Sequence, residues 1–348
     1  MSENNLFRIG ITHGDYNGIG YEVIMKALND PKMLELCSPV VYGAAKAASY
    51  YKSLFELQDF SMQVCRKVEQ INKNKNYLVN IFEQEVKVEP GTMTPEAGKL
   101  AELALTNACK DLKAQLIDAI VTAPICKADI QSDTFHFNGH TEFFAKQFSS
   151  QNAMMMMVTE GCRIAFATNH LPIEEVSKVL STELIVKKLK TLQQTLKVDF
   201  ACTNPTIAVL SLNPHAGDNG LIGKEDQEII APAIQQAFNE KINAFGPFPA
   251  DGLFGSGNYA KFDAILAMYH DQGMIPFKMI SHGEGVNFTA GLPIVRTSPA
   301  HGTAFDIAGK NMADCESMRN AIYLAIDILK NRKEYQQDAL CRTPATAC

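Results

Sequence analysis

LAMYHDQGMIPFKMISHGEGVNFTAGLPIVRTSPAHGTAFD, residues Leu266–Asp306, is the stretch that decides the fold. Apolar runs at Ala264–Met268 and Gly291–Val295 frame its polar, glycine-containing segments. Buried strands deliver polar side chains to loops in this way, and binding sites are commonly built on such loops. We therefore expect a sheet whose strand ends carry the functional residues.

The polar residues of this stretch are of two chemical kinds. An imidazole beside a carboxylate, His270 and Asp271, suits metal or proton chemistry. Lys278, Asn287 and Arg296 instead offer hydrogen-bond donors to an anion. A lysine or arginine is by default a solvated surface residue, but Arg296 directly follows an apolar run and is predicted to emerge from a strand.

The composition is that of an ordinary globular protein of more than one domain. The chain has 348 residues, 46% of them hydrophobic, and a net charge of -6, which together favour two domains and no nucleic-acid partner. No apolar run approaches the ~20 residues of a bilayer span, and the start of the chain does not resemble a signal peptide. The nine cysteines form no CxxC pair, which indicates free thiols in a reducing cytoplasm.

Strand and helix patterns alternate along the chain. This alternation predicts an α/β fold with mainly parallel sheets. The Met154–Met157 run is predicted to be a buried strand rather than a copper site, because thioether ligands would have to be spaced. A helix is expected over Ser317–Asn331, followed by a mobile polar tail after Lys333. The main strands are predicted at Leu6–Thr12, Val40–Tyr42, Ala119–Thr122, Met154–Val158, Arg163–Thr168 and Thr206–Leu212.

Two loops lead from glycine into predicted helices. The first, HGDYNGIGYE at residues 13–22, does not fit the dinucleotide pattern G-x-G-x-x-G. It is either an anion-binding helix start or a plain strand-to-helix turn. In the second, His140 and Thr141 follow Gly139 at a helix start and either receive an anionic substrate group or simply form a capping loop.

Three histidines, His170, His215 and His270, each follow an apolar strand. Ligands of α/β sheets collect beyond the carboxyl ends of the strands, and three imidazoles leave an open coordination position that suits catalytic zinc or a similar ion. Any one of them is otherwise a hydrogen-bonded structural histidine. Asp251 and Asp271 are the nearby carboxylates, which either orient a ligand, contact a cofactor or act as a base, or are turn and cap residues.

A set of longer motifs resembles one enzyme family, the 4-hydroxythreonine-4-phosphate dehydrogenases (PdxA). The motifs follow the family order from Ile9 to about Asn320. They are ITHGDYNGIGYE, VTAPICK, FNGHTEF, NHLP, LNPHAGDNGLIGKED, PFPADGLF, LAMYHDQGMIPFK, GVNFTAGLPIVRTSPAHGTA and AFDIAGKNMAD.

The resemblance implies a fold similar to that of isocitrate and isopropylmalate dehydrogenases. Two α/β/α layered domains with a cleft between them are then expected. The first would comprise residues 1–125 plus 289–348 and carry the cofactor loop. The second, residues 126–288, would carry the metal ligands and the dimer contacts.

The implied activity is the oxidation of 4-phosphohydroxy-L-threonine with loss of carbon dioxide, which yields 3-amino-2-oxopropyl phosphate for pyridoxal phosphate (vitamin B6) biosynthesis. It requires NAD, or NADP, and one divalent ion per site, with zinc expected and magnesium, manganese or cobalt as substitutes. The family forms homodimers whose metal site is completed across the subunit interface. Neither nucleic acid nor membrane is an expected partner.

The family's site residues transfer to positions of this chain that match its motifs. The metal ligands fall on His170, His215 and His270, and the substrate contacts on His140, Thr141, Lys278, Asn287 and Arg296. The cofactor candidates are His301, Gly302, Asp306 and Asp251, and the catalytic candidates are Asp271 and Lys278.

The first loop departs from the family pattern. His13 and Tyr21 stand where prolines are usual, and Tyr16-Asn17 replaces a proline and a small residue. Two alternatives to the implied function remain. One is a paralogous dehydrogenase of phosphorylated sugar acids, 4-phospho-threonate or 4-phospho-erythronate. The other is a catalytically silent metal- or nucleotide-binding protein, against which the retained Lys278, Asn287 and Arg296 argue.

Overall fold

The computed structural model describes residues 6–71, 75–132, 135–137 and 139–342. They divide into two units, each built from two segments of the chain. Unit 1 is Met1–Ser149 with Pro293–Leu329, and unit 2 is Ser150–Leu292 with Lys330–Cys348. The sequence predicts domain boundaries after residues 125 and 288, whereas these units change after Ser149, Leu292 and Leu329.

The first segment of unit 1 alternates strands and helices. In chain order these are β1 (Phe7–Thr12), α1 (Gly20–Leu28), α2 (Met33–Leu36), β2 (Cys37–Gly43), α3 (Ala45–Leu54), β3 (Gln63–Cys65), β4 (Tyr77–Asn80), α4 (Pro95–Lys113), β5 (Ala119–Thr122) and α5 (His140–Gln147).

The remaining elements begin with the continuous segment of unit 2. They are β6 (Met154–Thr159), β7 (Cys162–Phe166), α6 (Ile173–Val179), α7 (Thr182–Val198), β8 (Thr206–Leu210), α8 (Ala231–Asn239), β9 (Asn243–Phe248), α9 (Ala250–Gly255), β10 (Ala264–Ala267), α10 (His270–Ser281) and β11 (Val286–Ala290). The chain then adds β12 (Val295–Pro299) to unit 1 and ends in α11 (Glu316–Arg342).

The sheet of unit 1 has the strand order β3-β4-β2-β1-β5-β12, and every pair in it is parallel. Its central strands are apolar on both faces, as in a sheet with helices on both sides. The helix α4 packs on β1, β2 and β5. It begins after Thr94, whose Oγ1 accepts a hydrogen bond from the Ala97 amide at 3.3 Å, with Pro95 in the first turn.

The sheet of unit 2 has the order β11-β6-β7-β10-β8-β9. The strands β7, β10, β8 and β9 run parallel, whereas β6 is antiparallel to both of its neighbours. The four methionines of β6, Met154–Met157, are all buried, so the prediction of a structural strand is confirmed. The expected α/β class with mainly parallel sheets is confirmed as well.

The polar segment after β10 differs from the loop that the sequence predicts. Twelve of its residues form α10, despite Gly273 and an internal proline, Pro276. A Cβ on Gly273 would lie 2.7 Å from the Phe166 ring, so glycine lets the helix pack directly against β7. Burial of Phe277 offsets part of the ~3 kcal/mol that an internal proline costs a helix.

The C-terminal helix is longer than expected. The sequence predicts a polar tail after Lys333, whereas the residues up to Arg342 continue α11. Just before this extension α11 makes non-local contacts: Arg332 Nε donates to Asp199 Oδ1 at 2.6 Å and Arg332 Nη2 donates to the Leu292 carbonyl at 3.2 Å. Within the residues described, no helix has both the length and the apolar character that a bilayer span requires.

Candidate active site

Three of the predicted site residues follow neighbouring strands of unit 2. The strands β7, β10 and β8 lie side by side and parallel, and their carboxyl ends are followed by His170, His270 and His215. The placement of the histidines at one end of this sheet is therefore as predicted. Their individual environments differ.

His170 and His270 lie close together. Their ring centroids are 5.5 Å apart, and the ring of Phe166 stacks against His270 at 6.0 Å. His270 Nδ1 donates to Asp271 Oδ1 at 2.7 Å, which leaves Nε2 as the nitrogen with a free lone pair. A carboxylate on the far nitrogen is the usual way in which proteins orient a metal-binding imidazole.

His215 is exposed and lies in a strained turn, Pro214–Gly220. Five consecutive residues, 215–219, have positive φ, and only Gly217 among them is glycine. The carboxylate of Asp226 holds the two residues before this turn. It accepts hydrogen bonds from the backbone amides of Leu212 at 2.7 Å and Asn213 at 3.1 Å. Among the described residues, the trio of histidines is not one of the groups whose ligand atoms all lie within 4.8 Å of one another.

The other predicted residues of unit 2 lie on three elements. Lys278 is exposed on α10, and Asp251 is exposed in the first turn of α9. Asn287 is half-buried on β11, and its Oδ1 is buried with no hydrogen-bond partner within the described structure. A buried amide oxygen without a donor is available to accept a hydrogen bond from a ligand or a water.

Arg296 lies inside a strand rather than after one. It is the second residue of β12 and only 1% exposed, and its Nη2 donates to Thr122 Oγ1 at 2.7 Å. Its guanidinium lies 5.8 Å from the centre of the Phe144 ring. Burial lowers the pKa of Arg296 to about 9, and the nearby Glu142 opposes the shift, so the side chain is a buried cation at neutral pH.

His140 begins α5 and is electrostatically coupled to this cation. Its Nε2 is buried and has no hydrogen-bond partner in the described residues. Burial, together with the charges of Arg296 and Lys127, holds the pKa of His140 well below 6.5. Thr141 follows it, half-buried, in the same helical turn. Unit 1 thus brings together His140 and Arg296, a neutral imidazole and a buried guanidinium.

The predicted cofactor residues of unit 1 lie after β12. His301 Nδ1 donates to the Gly302 carbonyl at 3.0 Å, and its Nε2 is buried without a partner in the part of the chain described. Burial lowers the pKa of His301, which favours the neutral ring. Gly302 and Asp306 are exposed, so both are accessible to a bound molecule.

Three residues near these sites were missed as site candidates. Thr122 and Glu142 contact or influence Arg296, and Asp15 lies in the first loop. Asp15 is 1% exposed, and burial raises its pKa to about 6, with the charge of Asp129 adding to the rise. A buried carboxylate disfavours binding of an anion by this loop. The proximity of Asp15 to Asp129 depends on the fold and could not be predicted from a local sequence pattern.

Comparisons with known proteins agree with one another. The profile of a family described as "Pyridoxal phosphate biosynthetic protein PdxA" matches residues 35–325. A 4-hydroxythreonine-4-phosphate dehydrogenase of Bacteroides thetaiotaomicron is 50% identical over 332 residues, which cover 95% of this chain and 91% of the relative. An Oceanobacillus iheyensis protein named for D-threonate 4-phosphate dehydrogenation is 37% identical over 324 residues, covering 92% of this chain and 97% of the relative.

A solved structure is similar over nearly its whole length. It is the crystal structure of a 4-hydroxythreonine-4-phosphate dehydrogenase from Klebsiella pneumoniae, 31% identical in sequence. The similarity has a TM-score of 0.81 and covers 94% of this chain and 99% of that one.

Proposed function

Because the chain belongs to the PdxA family of pyridoxal phosphate biosynthetic proteins, we propose that it oxidises 4-phosphohydroxy-L-threonine with NAD or NADP. A protein base would take the proton of the substrate hydroxyl, and NAD or NADP, when bound, would supply the acceptor for the hydride of the carbinol carbon. The resulting β-keto acid then loses carbon dioxide and gives 3-amino-2-oxopropyl phosphate. The similarity to named dehydrogenases of this substrate supports the assignment.

The observation that carries the proposal is the buried cation of unit 1. Arg296 is 1% exposed and lies beside His140, whose Nε2 lacks a partner in the described structure. A desolvated guanidinium offers two parallel N–H groups to a phosphate or carboxylate. We assign Arg296, His140 and Thr141 to the anionic groups of the substrate.

Unit 2 supplies further substrate contacts in this proposal. Asn287 Oδ1 is a buried acceptor, which suits a hydroxyl or ammonium donor. The exposed side chain of Lys278 suits an anionic oxygen of the substrate when its Nζ is protonated. We assign the neutral amine form of the same Nζ to accepting the proton of the substrate hydroxyl. Asp271 orients His270 through their 2.7 Å hydrogen bond.

The histidines fit a divalent ion by the chemistry of their donors. His170, His215 and His270 are imidazoles at adjacent strand ends, and the Asp271 bond leaves His270 Nε2 available. Imidazole favours zinc, with cobalt, manganese or magnesium as functional substitutes. When bound, the ion supplies a Lewis acid that lowers the pKa of the substrate hydroxyl.

The cofactor residues are assigned to the turn after β12 and to α9. We assign His301, Gly302 and Asp306 to the adenosine half of NAD and Asp251 to a second cofactor contact. His301 Nε2, which has no hydrogen-bond partner among the residues described, suits a hydrogen bond to the nucleotide. The exposed carboxylate of Asp306 suits hydrogen bonds from ribose hydroxyls. Replacement of Asp306 by a residue without an acceptor would remove these hydrogen bonds.

We further propose a homodimer formed through unit 2, with the metal site completed across its interface. Three large apolar side chains of unit 2, on α6, directly after the His215 turn and on α10, are exposed to solvent: Ile173 is 69%, Leu221 82% and Met279 70% exposed. Exposed apolar surface around a functional site is typical of a partner interface. A second copy of the chain would cover it.

The test is NAD reduction by the purified protein with matched substrates. We expect turnover of 4-phosphohydroxy-L-threonine and little with unphosphorylated 4-hydroxythreonine. Equal efficiency on both compounds would overturn the phosphate assignment. Efficient turnover of 4-phospho-D-threonate or 4-phospho-erythronate instead would identify the second candidate, which the relative from O. iheyensis favours.

A further inference from the structure

A second group of metal-binding side chains lies in unit 1. The strands β1 and β5 are parallel neighbours, so the loop after each leaves the sheet at the same end. The two loops touch, because the Asp15 amide donates to the Pro124 carbonyl at 2.8 Å. This contact brings Asp15 of the first loop to Cys126 and Asp129 of the second.

The three side chains converge on one point. One carboxylate oxygen of each aspartate and the Cys126 sulfur all lie within 4.8 Å of one another. Asp15 is 1% exposed, and its Oδ2 has no hydrogen-bond partner; Asp129 Oδ2 is likewise buried and without a partner among the residues described. Buried carboxylate oxygens are costly unless a donor or a cation satisfies them.

From this geometry we propose that Asp15, Cys126 and Asp129 bind a borderline divalent cation of the zinc type. The proposed ion is distinct from the one assigned to the histidines, which belong to unit 2. Zinc bond lengths of 2.0–2.3 Å place tetrahedral ligand atoms about 3.3–3.8 Å apart, which small side-chain movements reach from the observed spacing. On binding, the Cys126 thiol gives up its proton to solvent and coordinates as thiolate.

The sulfur selects the class of ion. Thiolate and carboxylate together favour zinc or cobalt, whereas magnesium and calcium prefer oxygen alone. A thioether is also close, since Met93 Sδ lies 3.6 Å from Cys126 Sγ. The ion would cross-link the loop after β1 to the loop after β5, which also contact each other through a backbone hydrogen bond.

Cobalt substitution tests the proposal without relying on catalysis. Chelator-treated protein is titrated with cobalt(II), and the thiolate-to-cobalt charge-transfer absorption in the near ultraviolet is followed. We expect the band in the wild type and in a His170→Ala/His270→Ala variant, because imidazole ligands do not produce it. Cys126→Ser should abolish the band, and Asp15→Asn should weaken cobalt affinity by roughly tenfold or more.

The other group of three potential ligands provides a matched control. Asp314, Cys315 and Glu316 also cluster within 4.8 Å, so Cys315→Ser should leave the band intact if the first cluster is the site. Absence of a thiolate band in the wild type, or its survival in Cys126→Ser, would overturn the proposal. Both serine variants replace one atom at half-buried positions, and their circular dichroism verifies the fold.

Discussion

At the scale of single residues, burial decides what each functional group can do. The sequence predicts that the three histidines follow strands, because an apolar run precedes each of them. It does not predict that Arg296 is buried inside β12. Arg296 donates a hydrogen bond to Thr122 and is stabilised as a cation by the charge of Glu142. Both residues lie more than 150 positions away in the chain, so no local sequence pattern connects them to Arg296.

Arg296→Lys should be harmful although it retains the charge. Lysine lacks the planar fork with which Arg296 donates to Thr122 and, in the proposed function, to an anionic group of the substrate. We expect kcat/KM for the phosphorylated substrate to fall by roughly 10–100-fold, the equivalent of about 1.4–3 kcal/mol. Steady-state kinetics of this variant and of Arg8→Lys, a control in β1, measures the effect, and equal activity of both variants would contradict it.

The stability of the protein should fall as the pH drops below 6.5. The folded state keeps His140 neutral because its pKa is held well below that value, while the unfolded chain takes up the proton. Each pH unit below 6.5 then costs up to about 1.4 kcal/mol for this residue.

His140→Gln should therefore flatten the dependence of unfolding free energy on pH between 7 and 5. Denaturant titrations at several pH values measure it. His136→Gln, which alters an exposed histidine four residues before His140, should leave the slope unchanged. A slope that His140→Gln does not reduce would show that the folded imidazole takes up its proton normally.

At the scale of elements, contacts distant in sequence override local signals. Gly273 and Pro276 resemble helix breakers, yet α10 forms because glycine permits close packing on Phe166. α11 is held by Arg332, whose partner Asp199 is 133 residues away. Periodicity predicts where elements exist, and packing decides where they end.

The left-handed turn around His215 should require glycine at position 217. Gly217 has φ +78, and a Cβ there would lie 2.9 Å from the Gly223 carbonyl oxygen. Gly217→Ala should lower the unfolding free energy by about 3 kcal/mol, from backbone strain plus the collision.

Gly161→Ala is the matched control for this substitution. Its φ of +71 is similar, but no atom of the described residues lies within 4 Å of an added Cβ. It should cost only the backbone strain of about 1–2 kcal/mol. Urea unfolding of the two variants separates the terms, and equal losses would refute the collision.

Arg332→Met should destabilise the protein by about 3 kcal/mol. Asp199 is 3% exposed, and removal of its guanidinium partner leaves a buried carboxylate without compensation. Burial raises the pKa of Asp199 and Arg332 counteracts that rise. Thermal unfolding should show a clear loss for Arg332→Met and almost none for the exposed neighbour variant Lys333→Met; equal losses would mean that the ion pair contributes little.

At the scale of the whole molecule, we expect two chains per particle. Light scattering should give a mass of twice 38.3 kDa. Leu221→Glu places a charge on apolar surface beside the His215 turn and should produce monomers with reduced activity. Leu340→Glu, at a similarly exposed position on α11, is the control that should remain dimeric. A wild-type monomer would contradict the proposed interface.

The two-segment construction of unit 1 also sets an order of events during translation. β5 pairs with β12, yet residues 123–299 must be made before that partner exists, which takes roughly 10–35 s at 5–20 residues per second. All six strands in the sheet of unit 2 are synthesised within this interval. The nascent chain therefore carries an open strand edge at β5 while it emerges from the ribosome, and an open edge invites pairing with other chains. Slow elongation or crowded ribosomes should make this enzyme a client of chaperones that shield such edges.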